Sequence, residues 1–339
     1  KIKNAFSDAE ELAKQETSRK ERVMESIYYG DTPTFMELPL AYKACDLEGA
    51  DAAIMGFPYE GITALSPTRS APPSVKRPSK DSVYWRMGGD LAPEAIRKYS
   101  IYYSVKHNRG YFPEIDEDLV MMDYLKVVDY GDVVIDQFDA AETVRRAKEK
   151  ASDIVNAGAV PIVLGGDHTT PTPILQAILD KTDKKIGLIS FDAHIDLAND
   201  PLNWASSMWW QTLELGKISP KNFVEIGIRG VRNSIFDKNV AKGLGNKIYT
   251  IDKIKDRGMK EVIKEALEIA CYGTDGIYVS VDLDVLDPTS FIAQKAPEFW
   301  GLTQDEFFIA LREIARKKVV GFDICELTPD YDVNGMGAQ

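Results

Sequence analysis

Three short stretches of the chain finish in acids and imidazoles: Leu164-Gly165-Gly166-Asp167-His168, Ser190-Phe191-Asp192-Ala193-His194-Ile195-Asp196, and Ser280-Val281-Asp282-Leu283-Asp284, the last followed by Asp287-Pro288. Asp192, His194 and Asp196 are spaced i, i+2, i+4, which puts their side chains on one face of an extended segment. Asp282 and Asp284 repeat that spacing. A lone Asp at the end of a strand ordinarily caps the next helix or makes a turn. Several carboxylates on one face are different, because buried and unpaired they repel one another, and a cation removes the repulsion. The chain has three histidines, His107, His168 and His194, and two of them fall in these clusters. An oxygen-rich set with one imidazole per ion suits Mn²⁺ or Ni²⁺ better than a Cys-rich zinc site or an all-oxygen calcium site. His107 has no acidic company and reads as a surface residue.

The elements around these clusters are short apolar runs alternating with helical stretches. Strand-like runs cover Ala52–Phe57, Lys126–Tyr130, Val160–Leu164, Ile186–Phe191, Asn222–Ile228, Lys247–Ile251, Ile277–Val281 and Val319–Ile324. Helical patterns cover Ala140–Ala157, Lys260–Ala270 and Gln304–Lys317, and Ala92-Pro93-Glu94 carries helix-start signals. Continuous rather than alternating apolar strands imply a sheet buried on both faces, hence mostly parallel. The rhythm runs unbroken from residue 52 to 325, so one doubly wound α/β domain is expected over 51–339. Residues 1–50 read as an N-terminal helix (Ser7–Ile27) and arm, and Ser66–Asp90, rich in Pro and Gly, as a long ordered loop. In a parallel sheet of this kind ligands gather beyond the carboxyl ends of the strands, where all three clusters lie.

Bulk composition narrows the partners. A formal charge of −12 over 339 residues argues against nucleic acid or an anionic membrane surface, which require surplus Lys and Arg. Cys45, Cys271 and Cys325 offer no disulfide framework and fit a reducing compartment. The first 22 residues lack the apolar core of a signal peptide, and no run is long enough to span a bilayer. The cytoplasm is the expected location.

GGDH, DAHxD and SxDxDxxDP, in this order and spacing over roughly residues 50–330, resemble the arginase/agmatinase, or ureohydrolase, family. The resemblance implies a three-layer α/β/α fold with a mostly parallel central sheet, and trimeric or hexameric assembly. It implies two divalent ions per chain, Mn²⁺ or Ni²⁺. His168, Asp192, Asp196 and Asp282 would hold one, and His194, Asp192, Asp282 and Asp284 the other. It makes Asp196 the carboxylate that passes a proton to the leaving amine, and Glu326 the acid that binds the guanidinium. Two such ions roughly 3.5–4 Å apart can share a water and present hydroxide at neutral pH to a guanidinium carbon, a poor electrophile because its charge is delocalised over three nitrogens.

Two substrate-side motifs of the family are absent. No His follows His194, where a Ser-His-Gly segment is usual, and Ser290 to Gly301 replaces the usual Pro-Gly-Thr-Gly loop. Trp204, Trp209 and Trp210 lie in one rewritten segment and Trp300 in the other, which predicts an aromatic wall for a compact or methylated cation. Packing of a subunit interface is the other use for such aromatics. The expected activity is hydrolysis of a C–N bond in a small guanidino or biguanide compound, with the nickel-dependent guanidine and metformin hydrolases as the branch resembled. An agmatinase or guanidinobutyrase is the alternative, and a supporting, non-catalytic subunit in a mixed oligomer is an alternative of another class.

Overall fold

A computed structural model describes residues 28–29, 32–61, 86–113, 118–136, 139–199 and 204–339. The helix expected over Ser7–Ile27 and most of the loop expected over Ser66–Asp90 lie outside the described residues. The core is an eight-stranded sheet. Its strands are β1 (Ala52–Phe57), β2 (Val127–Asp132), β3 (Val160–Gly165), β4 (Ile186–Phe191), β5 (Phe223–Ile228), β6 (Lys247–Thr250), β7 (Gly276–Asp282) and β8 (Val319–Cys325). They are ordered 2-1-3-8-7-4-5-6, and every neighbouring pair is parallel.

Successive strand residues point to opposite faces, and both faces are apolar, so the strands read as continuous hydrophobic runs. Ile277, Val279 and Val281 of β7 enter one core with Ile254, Val262, Ile263 and Ile314 from helices α6 (Ile251–Arg257), α7 (Met259–Ala270) and α8 (Gln304–Ile314). Met55, Leu188 and Tyr278 enter the opposite core. There they meet Ala151 and Ile154 of α2 (Ala140–Asn156), Ile174 and Ile178 of α3 (Pro171–Lys181), and Met208 of α4 (Met208–Glu214). Helices α1 (Ala92–Tyr99) and α5 (Ile235–Leu244) complete the two outer layers. The result is a three-layer α/β/α sandwich.

Helix boundaries follow local chemistry. The Asp139 carboxylate accepts the Glu142 amide at the start of α2, and Thr303 with Glu306 forms a capping box at the start of α8. Helix α3 has no equivalent sequence signal. It has no side-chain cap, and Pro171 opens it, where its missing N–H leaves nothing unpaired. Ile251, expected to end a strand, begins α6 instead.

Strand order is what gathers the acidic clusters. Strands β3 and β4 are consecutive in the chain but not neighbours, because β8 and β7 lie between them. The carboxyl ends of β3, β8, β7 and β4 therefore form one contiguous row, and these four ends carry the acidic residues.

The edge of the sheet at β2 is tied by charge. Arg97 of α1 and Asp129 of β2 are both almost fully buried, with Nε 2.8 Å from Oδ2. Asp129 also accepts the backbone amides of Phe35 and Gly131. Removing one member of a buried pair leaves an uncompensated charge, which costs about 3–5 kcal/mol. Arg97→Met is accordingly expected to lower unfolding free energy by that amount in denaturant titration, far more than a surface Arg→Met change.

Candidate metal centre

The Gly165-Gly166 pair lets β3 turn sharply beside the segment after β1. A Cβ on Gly166 would stand 2.0 Å from the Tyr59 carbonyl oxygen, and the Asp167 amide donates to that same oxygen at 2.8 Å. Asp167 serves the turn itself, its carboxylate accepting the amides of Gly61 and Thr169. His168 follows and is carried over the ends of β8 and β7.

Nδ1 of His168 lies 3.1 Å from Asp192 Oδ2, 3.0 Å from Asp196 Oδ2 and 3.4 Å from Asp282 Oδ2. Nδ1 of His194 lies 2.9 Å from Asp284 Oδ2 and 3.7 Å from Asp192 Oδ1. Two donor nests result, and Asp192 gives one oxygen to each. Ligand atoms within each nest lie within 4.8 Å of one another. All six residues expected from the sequence to bind metal are thus brought together, and Asp192 spans both nests. Asp282 falls with the His168 set.

Backbone amides hold the carboxylates in place. Asp192 Oδ1 accepts the His194 amide at 2.6 Å, Asp284 Oδ1 accepts the Ala193 amide at 3.0 Å, and Asp282 Oδ1 accepts the Asp284 amide at 2.9 Å. Asp196 and Glu326 adopt left-handed backbone conformations, φ 49° and 67°. Such strain in non-glycine residues is retained where surrounding structure imposes it, commonly at functional sites.

On its far side, His168 Nε2 is 3.1 Å from Ser280 Oγ. The Ser280 hydroxyl donates to Asp323 Oδ1 at 2.9 Å, and Tyr278 donates to Asp323 Oδ2 at 2.6 Å. Because the Ser280 proton is committed to Asp323, its oxygen accepts from Nε2–H of His168. Nδ1 then turns its lone pair toward three carboxylate oxygens. Trp209, fully buried, backs the same ring edge-on, with centroids 5.6 Å apart.

These groups fit a pair of divalent ions. In each nest lone pairs of nitrogen and oxygen converge, and Asp192 Oδ2, which faces His168 Nδ1, is buried without a hydrogen-bond partner. Burial, and then the charges of Asp196 and Asp284, push the Asp192 carboxyl up to about 8. Burial, and then Asp284 and Asp192, raise Asp282 well above its usual range. Only protons or cations relieve that repulsion.

Above the nests opens a cavity of about 110 Å³. His168, His194, Asp196, Asp282 and Asp284 form its floor, and Ala205, Ser206, Arg232, Asn233, Asp237, Lys295 and Glu326 are among its walls. Here the structure corrects the sequence reading. None of Trp204, Trp209, Trp210 or Trp300 is among the described residues lining the cavity. Trp209 packs behind His168, Trp210 stacks on Phe236, and Trp300 is 55% exposed. The walls mix short side chains of the two rewritten segments, Ala205, Ser206 and Ala296, with Lys295 of the second, with Arg232, Asn233 and Asp237 from the stretch after β5, and with Glu326.

Glu326 is also less free than expected. Its Oε1 accepts the His168 amide at 2.7 Å, and its Oε2 lies 3.5 Å from the ammonium of Lys295. Lys295, missed in the sequence, is 1% exposed, with Nζ 3.3 Å from Glu60 Oε1. Burial alone would lower its pKa, but Glu326 and Glu60 hold it well above the ordinary lysine range. Arg229, likewise missed, is buried and donates to the carbonyls of Asp284, Leu286 and Glu298, which staples the rewritten loop to the acidic turn after β7. A cation at the end of a buried strand was the available signal for Arg229. Lys295 had none. His107 is exposed, and the three cysteines are free thiols.

Metal-free and metal-loaded protein are expected to differ in two measurable ways. Ser280→Ala removes the acceptor that fixes His168, and is expected to weaken metal affinity about 10–100-fold in a chelator competition. A carboxyl whose pKa is raised by folding stabilises fully below its unfolded value of 3.8 and loses that contribution as pH rises to about 8. The metal-free protein is therefore expected to melt at lower temperature at pH 8 than at pH 5. Mn²⁺ or Ni²⁺ is expected to restore more stability at the higher pH, as read by calorimetry.

The Arginase family model matches residues 50–339. The agmatinase of Citrobacter koseri is 31% identical over 299 residues, covering 88% of this chain and 86% of that protein. The mitochondrial guanidino acid hydrolase of Homo sapiens is 29% identical over 307 residues, covering 89% of this chain and 77% of that protein. Among solved structures, proclavaminate amidino hydrolase from Streptomyces clavuligerus superposes with a TM-score of 0.74 at 27% identity, covering 91% of this chain and 93% of that one. With the sheet order, the three motifs and their convergence already established, these matches lead to one conclusion: the chain belongs to the arginase family.

Proposed function

We propose that this arginase-family hydrolase cleaves a C–N bond in a compact guanidino or biguanide compound, using two divalent ions. The observation that carries the reading is the pair of donor nests sharing Asp192 beneath a small cavity. His168, Asp192, Asp196 and Asp282 would hold one ion, and His194, Asp284 and Asp192 the other, with Asp282 able to reach toward both. Ions bound there supply Lewis acidity, lowering the pKa of water to near neutrality.

The protein's own groups do the rest. Asp196, at the edge of the cavity floor, presents a carboxylate to the reacting centre and can carry a proton from the nucleophilic water to the departing amine. Ser280 and Asp323 position His168. The −12 charge of the chain favours approach of a cationic substrate. A cavity of about 110 Å³ suits a compact substrate better than a long one. An agmatinase or guanidinobutyrase is the second reading, supported by the similarity to the Citrobacter koseri agmatinase.

Turnover of guanidine, metformin, agmatine, guanidinobutyrate and arginine, with Mn²⁺ and Ni²⁺ supplied separately, tests this. The compact substrates are expected to be preferred. Best turnover on arginine would sink the reading. Metal analysis of the single chain is expected to give two ions. A value well below two, with no turnover of any compound, would instead favour a supporting subunit. We also propose assembly into a trimer or hexamer, supported by Val231 and Phe299, 97% and 84% exposed beside the Arg229 staple. Light scattering of the purified chain is expected to report one of these masses, and a monomer would overturn it.

A further inference from the structure

Lys295 is unusual among the cavity walls because it is a cation held rigidly in place. Its backbone amide donates to the Glu326 carbonyl and its carbonyl accepts the Arg86 amide. The neighbouring Gln294 side chain donates to Leu286 O at 2.7 Å. These bonds hold the backbone, and the side chain, 1% exposed, belongs to the cavity wall; although Glu60 and Glu326 stand 3.3 and 3.5 Å away, Nζ has no hydrogen-bond partner of good geometry. An ammonium offers three donors and no acceptor. Glu326 meanwhile has one oxygen taken by the His168 amide and the other facing Lys295.

A simple guanidinium is also donor-only. Placed beside Glu326, it would compete with Lys295 for the Oε2 oxygen and meet a like charge 3.5 Å from that oxygen. A ligand with a proton-free acceptor next to its amidine carbon meets the same charge, even when it is itself a cation, but offers the buried donor a partner. We propose that Lys295 is a specificity-determining residue that favours guanidino substrates carrying such an acceptor, the bridging nitrogen of a biguanide being the model, over guanidinium and alkylguanidinium ions. This rests on the guanidino-hydrolase reading and narrows it.

The test is calorimetric binding of biguanide and of guanidinium chloride to the metal-loaded full chain, wild type and Lys295→Met. Wild type is expected to prefer biguanide, and Lys295→Met to reverse that preference, the ratio of the two affinities shifting by about 10-fold or more, since a buried acceptor left without its donor is worth about one decade. Lys295→Leu, which likewise has no donor, is expected to show the same reversal and serves if the Met variant does not fold. Equal weakening of both ligands, no change in either, or a wild-type preference for guanidinium overturns the proposal. Binding is read without turnover, so the two readings fail separately. Reversal without hydrolysis of any substrate removes the activity and keeps Lys295. Hydrolysis without reversal does the opposite.

Discussion

The constraint on which this molecule turns is repulsion among carboxylates that the fold forces together. Asp192, Asp282 and Asp284 are nearly or fully buried, and Asp196 joins them from the cavity edge. In water such groups would separate. Here each is anchored by a backbone amide or an imidazole, so the sheet keeps them in place and leaves a deficit of positive charge at one point. Folding and ion binding are therefore coupled: the scaffold supplies rigidity, and the ions supply the charge that the scaffold lacks.

Around that deficit, the protein arranges other cations with distinct duties. Arg229 spends its guanidinium on backbone carbonyls, turning charge into loop geometry. Lys295 keeps its charge at the cavity surface between Glu60 and Glu326. Arg97, at the β2 edge of the sheet, matches Asp129 and Asp132 and is not among the described residues lining the cavity. The same residue classes recur in the three places, and burial plus the identity of the acceptor decide what each one does.

Much of this was legible in the sequence. The eight strands were visible as continuous apolar runs because both faces of the sheet are covered. The six donors were visible because strand-end spacing of two aligns side chains whatever the surroundings. The walls were not legible. Trp209 and Trp210 were read as cavity-facing because aromatic residues crowd the rewritten segments, but α4 turns them toward Phe223, His168 and Phe236. Helix α3 was hidden by its prolines, which mark a loop or a first helical turn equally well. Lys295 and Glu60 stand far apart in the chain, and no local pattern announces a contact made only by tertiary folding.

The interposed position of β7 and β8 has a consequence for how the chain is made. A ribosome delivers β3 and β4 well before the two strands that separate them, so six of the eight strands emerge before the pair that fills the centre of the sheet. The acids after β4 gain Asp282 and Asp284 as neighbours only when β7 pairs with β4. Closure of the sheet's long-range contacts and creation of the charge deficit are then late events. A chain cut short before β7 lacks two of the six donors.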